Sequence, residues 1–174
     1  MILVVYESMF GNTKAIAEAI GEGLAPVGSV TVVEVGAFAA TPAGRAISNE
    51  VELLVVGGPI HAFGLSRPST REEAAKKSPD GSVISDGEGL REWLGALSLP
   101  DVGAKIATFD TKVARPKLPG SAAKAAEKQL RGLGGKPVAR PRTFWVTGYT
   151  GLVAGELDAA RAWGGELAVT LPAA

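Results

Sequence analysis

The first 24 residues, MILVVYESMFGNTKAIAEAIGEGL (Met1–Leu24), decide the fold. The apolar run Ile2–Tyr6 is typical of a strand that is buried on both faces of a sheet. A short polar loop follows it, and apolar residues then recur at helical spacing from Ile16 to Leu24. The stretch therefore predicts a parallel strand, a tight turn and a helix that begins at Thr13.

The turn between this strand and helix has the composition of an anion site. A turn that leads into a helix N-terminus points several backbone N–H groups at one place, and the helix dipole adds positive potential there. Ser8 and Thr13 add hydroxyl donors, and Asn12 adds an amide. Gly11 allows a close backbone approach. The turn therefore predicts a phosphate site; the alternative is an ordinary turn without a ligand.

The same turn resembles the phosphate loop with which the flavodoxin family binds flavin mononucleotide (FMN). That loop has a hydroxyl residue, any residue, a second hydroxyl residue, then Gly, any residue and Thr. Phe10 stands where the second hydroxyl is expected, and one charge-assisted hydrogen bond is worth roughly 1.5–3 kcal/mol. The resemblance implies FMN as cofactor, bound about ten- to a hundredfold more weakly than by a complete loop. The residues implied to hold the phosphate are Ser8, Met9, Phe10, Gly11, Asn12 and Thr13.

Four further apolar runs, rich in β-branched residues, follow at the spacing of an α/β protein. They are Val30–Val35, Val51–Val56, Lys105–Phe109 and Thr143–Thr147. Five strands joined by helical crossovers predict a doubly wound parallel sheet of order 2-1-3-4-5, with a layer of helices on each face. This is the flavodoxin-like architecture, and we expect one such domain over residues 1–174.

Capping residues mark the helices between the later strands. Ser69 with Glu72, and Thr70 with Glu73, form two overlapping capping boxes. Ser85 or Asp86 is expected to cap a helix that reaches Leu97, and Ser121 one that runs through Leu133. The last helix is predicted at Glu156–Leu167. Between Gly36 and Glu50 the residues Pro42 and Gly44 indicate a short, broken helix.

In such a sheet the ligand lies at the carboxyl ends of the strands, beside the point where the strand order reverses. The loop after the third strand, Gly57–Gly64, is similar to the Gly-x-Pro-x-x-Phe-Gly loops of flavodoxin-like NAD(P)H:quinone oxidoreductases, with one extra residue. The resemblance implies that His61 or Phe63 stacks on the flavin ring; a structural histidine and a core phenylalanine are the alternatives. The residues implied to lie along the ring are Pro59, Ile60, His61, Ala62, Phe63 and Gly64.

The loop after the fourth strand is expected at the pyrimidine edge of the flavin. Phe109 and Asp110 correspond to the aromatic and acidic residues that many flavodoxins have there, although Phe109 at the end of a strand also fits the core. Lys112 near the flavin N1–C2=O edge favours the anionic reduced flavin. The residues implied for this side of the ring are Phe109, Asp110, Thr111 and Lys112.

Composition excludes several other classes of site. The chain has no cysteine and one histidine, which excludes disulfides, thiolate metal sites and a zinc site built on histidines. Neither a GxxxxGK[ST] loop nor a GxSxG elbow occurs. The N-terminal apolar run lacks a basic n-region, and no apolar stretch approaches the length of a membrane span. We expect a cytoplasmic protein without a membrane span.

The charges are unevenly distributed although the net charge is zero. Lys112–Arg142 contains nine cationic residues and one anionic residue, Glu127, out of 18 of each sign in the chain. Flavodoxins that carry electrons are usually acidic, so the segment departs from that pattern. It favours an acidic partner, an anionic substrate or a nucleotide phosphate; a solvated loop and helix face is the alternative. The segment has no nucleic-acid motif and no interleaved aromatics, so we expect no nucleic-acid partner.

The resemblance thus implies an FMN-binding electron-transfer protein. Its partner would be a redox protein or a small-molecule electron acceptor, and the sequence leaves the oligomeric state open. Two alternatives remain: an FMN-dependent NAD(P)H:quinone-type oxidoreductase, and a flavodoxin-fold binding protein that has lost flavin. Phe10 favours the second of these.

Overall fold

The computed structural model describes residues 1–171, in which a parallel sheet lies between two layers of helices. The strands are β1 (Ile2–Tyr6), β2 (Val30–Glu34), β3 (Leu53–Pro59), β4 (Lys105–Val113), β5 (Lys136–Pro137) and β6 (Arg142–Val146). The helices are α1 (Asn12–Leu24), α2 (Val35–Ala39), α3 (Pro68–Lys77), α4 (Leu90–Ala96), α5 (Ala122–Gly132) and α6 (Glu156–Ala168); Ala25–Val27 forms a 3-10 turn.

The order of the sheet is β2-β1-β3-β4-β5, and β6 also pairs with β4. β5 and β6 pair with the same edge of β4, one after the other. β5 pairs with Lys105 and Ile106, and β6 pairs with Phe109–Val113. The predicted order 2-1-3-4-5 is confirmed, with β6 as the predicted fifth strand. β5 is an addition, and with two residues, one of them a proline, it carries no strand pattern in the sequence.

Pairing on both edges extends β4 beyond its predicted end. The sequence placed the end at Phe109, but β3 pairs with β4 as far as Thr111 and β6 pairs with it as far as Val113. The polar residues Asp110, Thr111 and Lys112 interrupt the apolar run that marked the strand. Backbone hydrogen bonds to two neighbours therefore decide the length of β4, where hydrophobicity does not.

The two faces of the sheet are covered by different helices. α1 and α6 pack on the face formed by Val4, Val55 and Phe109. α2, α4 and α5 pack on the face formed by Val5, Val56 and Ile106. Because β1 and β3 are covered on both faces, every residue of β1 and the first six of β3 are buried. α3 belongs to neither layer and lies over the carboxyl edge of the sheet, where it lines a cavity.

The predicted helix cap is correct at α5 and wrong at α3. Ser121 caps α5 as predicted, since its hydroxyl accepts a hydrogen bond from the Lys124 N–H at 3.1 Å. The two boxes at α3 are wrong: the helix begins at Pro68, and the Thr70 hydroxyl accepts from the Arg67 N–H at 2.9 Å. Proline is favoured at the first helical position, and the helix therefore begins at Pro68, before the two residues that were expected to cap it.

The predicted start of α4 at Ser85 or Asp86 is also wrong. The helix begins at Leu90, after Gly89, and the Glu92 carboxylate accepts from the Gly89 N–H at 3.0 Å. The short helix expected between Gly36 and Glu50 corresponds to α2, which has five residues. None of the helices in residues 1–171 combines the length and apolar character needed to cross a bilayer.

α1 and α6 approach each other through glycine. A Cβ at Gly23 would overlap the carbonyl oxygen of Arg161, and a Cβ at Gly164 would overlap that of Ile20. Gly23 and Gly164 therefore lie where the two helices pack too closely for a side chain. Gly165, the next residue in α6, has no neighbouring atom within 4 Å of its would-be Cβ.

We expect Gly164→Ala to lower the free energy of unfolding by about 1–3 kcal/mol, because the added methyl group forces two packed helices apart. Gly165→Ala, the matched control, should leave it unchanged or raise it by up to about 1 kcal/mol through helix propensity. Urea unfolding followed by circular dichroism measures both. Equal effects of the two substitutions would contradict the close packing at Gly164.

Candidate functional site

A cavity of about 300 Å³ opens at the carboxyl edge of the sheet, between the ends of β1 and β3. The strand order reverses at this point, because β2 lies on one side of β1 and β3 on the other. The lining comes from the loops after β1, β3 and β6, from the end of β4, and from α3. Its volume lies at the lower end of the range for cofactor sites, which is about 300–1,000 Å³.

The turn Ser8–Thr13 presents unpaired donors at one end of this cavity. Gly11 precedes α1 with φ +100°, and its N–H donates to the Ser8 hydroxyl at 3.2 Å. Within residues 1–171, the N–H groups of Asn12, Thr13 and Lys14 have no acceptor. Three donors and the positive end of the helix dipole therefore meet where the sequence predicts a phosphate.

Buried hydroxyls connect this turn to the middle of the sheet. Ser8 and Thr13 are almost wholly buried, and the Thr13 hydroxyl lies 2.7 Å from the Thr111 hydroxyl. Thr111 also lines the cavity. The turn Ser8–Thr13 and the end of β4, both predicted to contribute to the site, therefore meet at this pair of hydroxyls. The hydrogen bond ties the start of α1 to β4.

The side-chain amide of Asn12 has a different role from the predicted one. It donates to the Tyr149 carbonyl at 3.0 Å, and its oxygen accepts from the Gly151 N–H at 2.9 Å. These bonds hold the loop after β6 against the turn before α1. The backbone N–H of Asn12 stays available to an anion, because neither of these bonds uses it.

An aromatic pair and a lysine stand beside the same turn. The rings of Phe10 and Tyr149 meet edge to face at 5.4 Å between centroids. The Lys77 ammonium, on α3, lies 5.6 Å from the centre of the Tyr149 ring. All three side chains line the cavity. A positive charge therefore stands at the end of the cavity where Phe10 replaces a hydroxyl.

The loop after β3 closes into a strained turn. His61 and Gly64 exchange backbone hydrogen bonds of 2.8 and 3.0 Å, and the residues between them, Ala62 and Phe63, have φ of +43° and +75°. Turns of this shape favour glycine and asparagine, so two side chains here are held against their preference. Pro59, Ile60, His61 and Ala62 line the cavity.

Phe63 and Gly64 do not line the cavity with the rest of this loop. The Phe63 ring is 60% exposed to solvent, so it neither fills the core nor covers the cavity. Both residues therefore drop out of the set proposed to lie along the ring.

Solved flavodoxins have the same arrangement of strands and helices. Flavodoxin 1 from Bacillus cereus superposes with a TM-score of 0.69 at 16% identity, over 98% of this chain and 99% of that one. A flavodoxin from the domain Archaea gives 0.62 at 20% identity, over 97% and 96% of the two chains. The chain has the flavodoxin fold. A WrbA-like flavodoxin from Agrobacterium tumefaciens gives 0.60 at 18% identity, over 97% and 95%.

The sequence itself matches no model of a known protein family and no curated protein. The fold that the turn Ser8–Thr13 implied is therefore confirmed by structure, at identities of 14–20%. At such identities the likeness concerns the flavodoxin fold. What the cavity binds has to be argued from its own residues.

Within this flavodoxin fold, Phe109 is a core residue. It is fully buried, its ring packs edge to face on Phe144 and Trp163, and it fills the space that a side chain at Gly57 would occupy. The expectation that Phe109 faces the flavin ring is therefore wrong. The alternative, a residue that ends an apolar strand and points into the core, is correct.

Asp110 and Lys112 also serve the fold away from the cavity. The Asp110 carboxylate is fully buried and accepts from the Ser121 and Thr143 hydroxyls and from the Ala123 N–H, at 2.6–3.0 Å. It thereby holds the start of α5 and the start of β6. Lys112 donates to the Gly120 carbonyl at 3.1 Å and lies outside the lining. Only Thr111 of the four residues predicted for this loop reaches the cavity.

A buried carboxylic acid lies directly before the phosphate turn, and the sequence analysis assigned it no role. Glu7 is 1% exposed, and its Oε2 accepts from the Leu90 N–H at 2.8 Å. Its Oε1 has no partner among the described residues. Burial raises the pKa of Glu7, and the Leu90 N–H and the positive charge of Arg71 oppose that shift. Glu7 links the end of β1 to the start of α4.

Helix α3 contributes to the cavity although no motif in its sequence indicates a site. Four residues of this helix line the cavity: Thr70, Glu73, Ala74 and Lys77. They recur at helical spacing on one face of the helix. Because that face is mostly polar, its sequence cannot be told from that of a solvent-exposed helix face. Tyr149, in the loop after β6, also lines the cavity.

His61 lies between α3 and the cavity, and we expect it to be neutral at pH 7. Burial, aided by the positive charges of Arg71 and Lys77, lowers its pKa to about 4. The unfolded chain binds the proton near pH 6.5. The stability that His61 contributes is therefore fully present above pH 6.5 and is lost as the pH falls to about 4.

His61 is the one histidine of the chain, so its imidazole resonances are directly assignable. A ¹H–¹⁵N titration should give a midpoint near pH 4, and a midpoint near 6.5 would contradict the buried, cation-flanked position. His61→Asn is the control for stability. Between pH 6.5 and 4, the wild type should lose more free energy of unfolding than this variant.

Proposed function

We propose that the chain binds FMN noncovalently and acts as an electron-transfer protein. The observation that carries the proposal is the group of unpaired N–H donors at Asn12, Thr13 and Lys14, at the end of a cavity at the point where the strand order reverses. A helix N-terminus in this position suits a phosphate monoester. The flavodoxin fold of the chain supports the same cofactor.

The residues around the cavity fit the two parts of FMN. The turn Ser8–Thr13 supplies backbone donors and buried hydroxyls for the phosphate. Met9, Ile60 and Ala62 supply apolar surface for the ring. Bound FMN supplies reversible electron transfer at its ring, and the protein supplies binding, orientation and exclusion of water.

Lys77 compensates for the hydroxyl missing at Phe10. Its ammonium, beside the Tyr149 ring, faces the end of the cavity where the phosphate binds. A cation at this place would stabilise the phosphate dianion through space, and the Tyr149 ring, which packs edge to face on Phe10, offers the ammonium a cation–π contact.

One observation favours a second function, that of an FMN-dependent NAD(P)H:quinone-type oxidoreductase. The loop after β4 carries two exposed cations, Arg115 and Lys117, and follows directly on Val113, the last residue of β4, which lines the cavity. Exposed cations beside a flavin suit the phosphates of a nicotinamide nucleotide. The two functions use the same cavity and differ in the source of the electrons.

FMN titration tests the proposal, with Gly11→Asp as the disruptive variant. We expect the protein to quench FMN fluorescence saturably, and Gly11→Asp to abolish the quenching because it puts a negative charge where the phosphate binds. Gly81→Asp is the matched control, since Gly81 also has positive φ (+74°) and open space around it. Its FMN affinity should equal that of the wild type.

Loss of FMN in Gly11→Asp alone, with both variants folded by circular dichroism, supports the phosphate turn. If FMN keeps its full fluorescence with the wild-type protein, the proposed function fails and a binding protein without flavin is left. If FMN binds, anaerobic NADPH separates the two functions. Prompt bleaching supports the oxidoreductase, and absence of bleaching supports the electron carrier.

A second titration tests Lys77. We expect Lys77→Ala to weaken FMN binding about fivefold, as for the loss of one partly exposed ion pair, and to leave riboflavin binding unchanged because riboflavin has no phosphate. Lys76→Ala, in the same helix turn and exposed, is the control and should change neither. Equal weakening of FMN and riboflavin by Lys77→Ala would place Lys77 at the ring and contradict the phosphate contact.

A further inference from the structure

Two exposed apolar side chains stand beside the cavity, on loops that touch each other. Phe63 is 60% exposed and Leu118 is 49% exposed. A Cβ at Gly120 would overlap the Phe63 carbonyl, so the chain at Gly120 lies directly against the turn that carries Phe63. Lys112 donates to the Gly120 carbonyl at 3.1 Å and fixes this end of the Leu118 loop.

Two features of Phe63 are energetically unfavourable: its apolar ring is exposed to water, and its backbone has a positive φ. A phenylalanine with φ +75° is a genuine outlier, and burying the ring would be favourable. The turn instead presents the ring to water while its neighbours His61 and Ala62 line the cavity. Strain of this kind persists at binding sites, where the surrounding structure holds it.

Exposed cations lie on the Leu118 loop and continue into α5. Arg115 and Lys117 lie on the same loop as Leu118, and Lys124 lies in the first turn of α5; all three are exposed. Among residues 112–142, Arg131 is the one cation in an ion pair within the described part of the chain, and its partner is Glu127. The face therefore keeps nearly all of its positive charge available.

We propose that this surface, which we call the basic docking face (Phe63, Leu118, Arg115, Lys117 and Lys124), binds a small acidic electron-transfer protein. An apolar centre with a charged rim is the anatomy of a protein–protein interface. The face borders the cavity through Ala62 and Val113, so a partner seated there lies beside the cofactor. The electron-transfer role of the partner rests on the proposed function; the docking itself does not.

The charge of the face determines the chemistry of the partner. Net positive charge concentrated on one face attracts an acidic protein and accelerates its encounter, an effect that salt screens. A single-stranded nucleic acid is less suited, because Phe63 is the one aromatic among the five residues of the face, and stacking of successive bases needs several aromatic side chains. The two apolar side chains come from separate loops, unlike the continuous apolar helix face that binds a membrane surface.

The test uses plant-type [2Fe–2S] ferredoxin as the acidic probe and the full chain, with and without added FMN. Calorimetry at roughly 0.01 M and roughly 0.15 M salt covers a fall of the Debye length from about 30 Å to about 8 Å. We expect saturable binding at low salt that weakens at high salt. Lys117→Glu should weaken it about fivefold at low salt, and Lys76→Glu, the same charge change on α3, by less than about twofold.

A second pair of variants tests the apolar centre. Leu118→Ser should weaken ferredoxin binding about threefold to fivefold at either salt concentration, because the lost contact is not electrostatic. Val169→Ser is its control, since Val169 is 85% exposed and lies at the end of α6. This control should bind ferredoxin as the wild type does.

Absence of saturable binding, or equal effects of Lys117→Glu and Lys76→Glu, would overturn the docking face. Tighter binding to an oligonucleotide or to phosphatidylserine vesicles, lost in Lys117→Glu, would assign the face to another polyanion and overturn the acidic protein. Self-association that Lys117→Glu abolishes would assign it to a second copy of the chain. Because ferredoxin binding is measured without FMN as well, the docking face can be tested even if the protein does not bind FMN.

Discussion

β1 is hydrogen-bonded to β2 along one edge and to β3 along the other, and helices cover both of its faces. Such a strand has to be apolar throughout, and the buried polar residues Glu7 and Ser8 that follow it need hydrogen-bond partners from other elements. The chain then has to turn at once and return as α1 across the sheet. The polar residues of the turn and the free N–H groups of the helix therefore fall together at the one place where neighbouring crossovers diverge.

Polar groups near that point are held by contacts from distant parts of the chain. The Ser8 N–H donates to the Ser85 hydroxyl at 3.0 Å, and that hydroxyl donates to Glu34 at the end of β2 at 2.7 Å. Glu7 receives the first N–H of α4. Asn12 holds the loop after β6. The turn Ser8–Thr13 is thus held by hydrogen bonds that reach β2, α4 and the loop after β6.

Prediction succeeded where one local pattern decides the structure. The apolar runs of β1, β2 and β3, the helical period of α1 and the cap at Ser121 each involve residues close together in sequence, and each was found within a few positions. It failed where several patterns compete. Ser69 and Thr70 both have the composition of a cap, but Pro68 begins the helix because its ring fits only the first turn.

The sequence by itself determined the order of the sheet, the position of the turn Ser8–Thr13 and the concentration of positive charge after β4. These follow from periodicity, composition and the right-handedness of crossovers, which are properties of the chain and of the peptide backbone. The tertiary structure decided which side chains of the loops reach the cavity. Phe109 fills the space beside Gly57, and Asp110 accepts a hydrogen bond from the start of α5. The backbone of Phe63 lies against Gly120, and its ring is exposed to solvent. Each of these orientations depends on an atom far away in sequence, and pairwise contacts of that kind leave no local pattern to read.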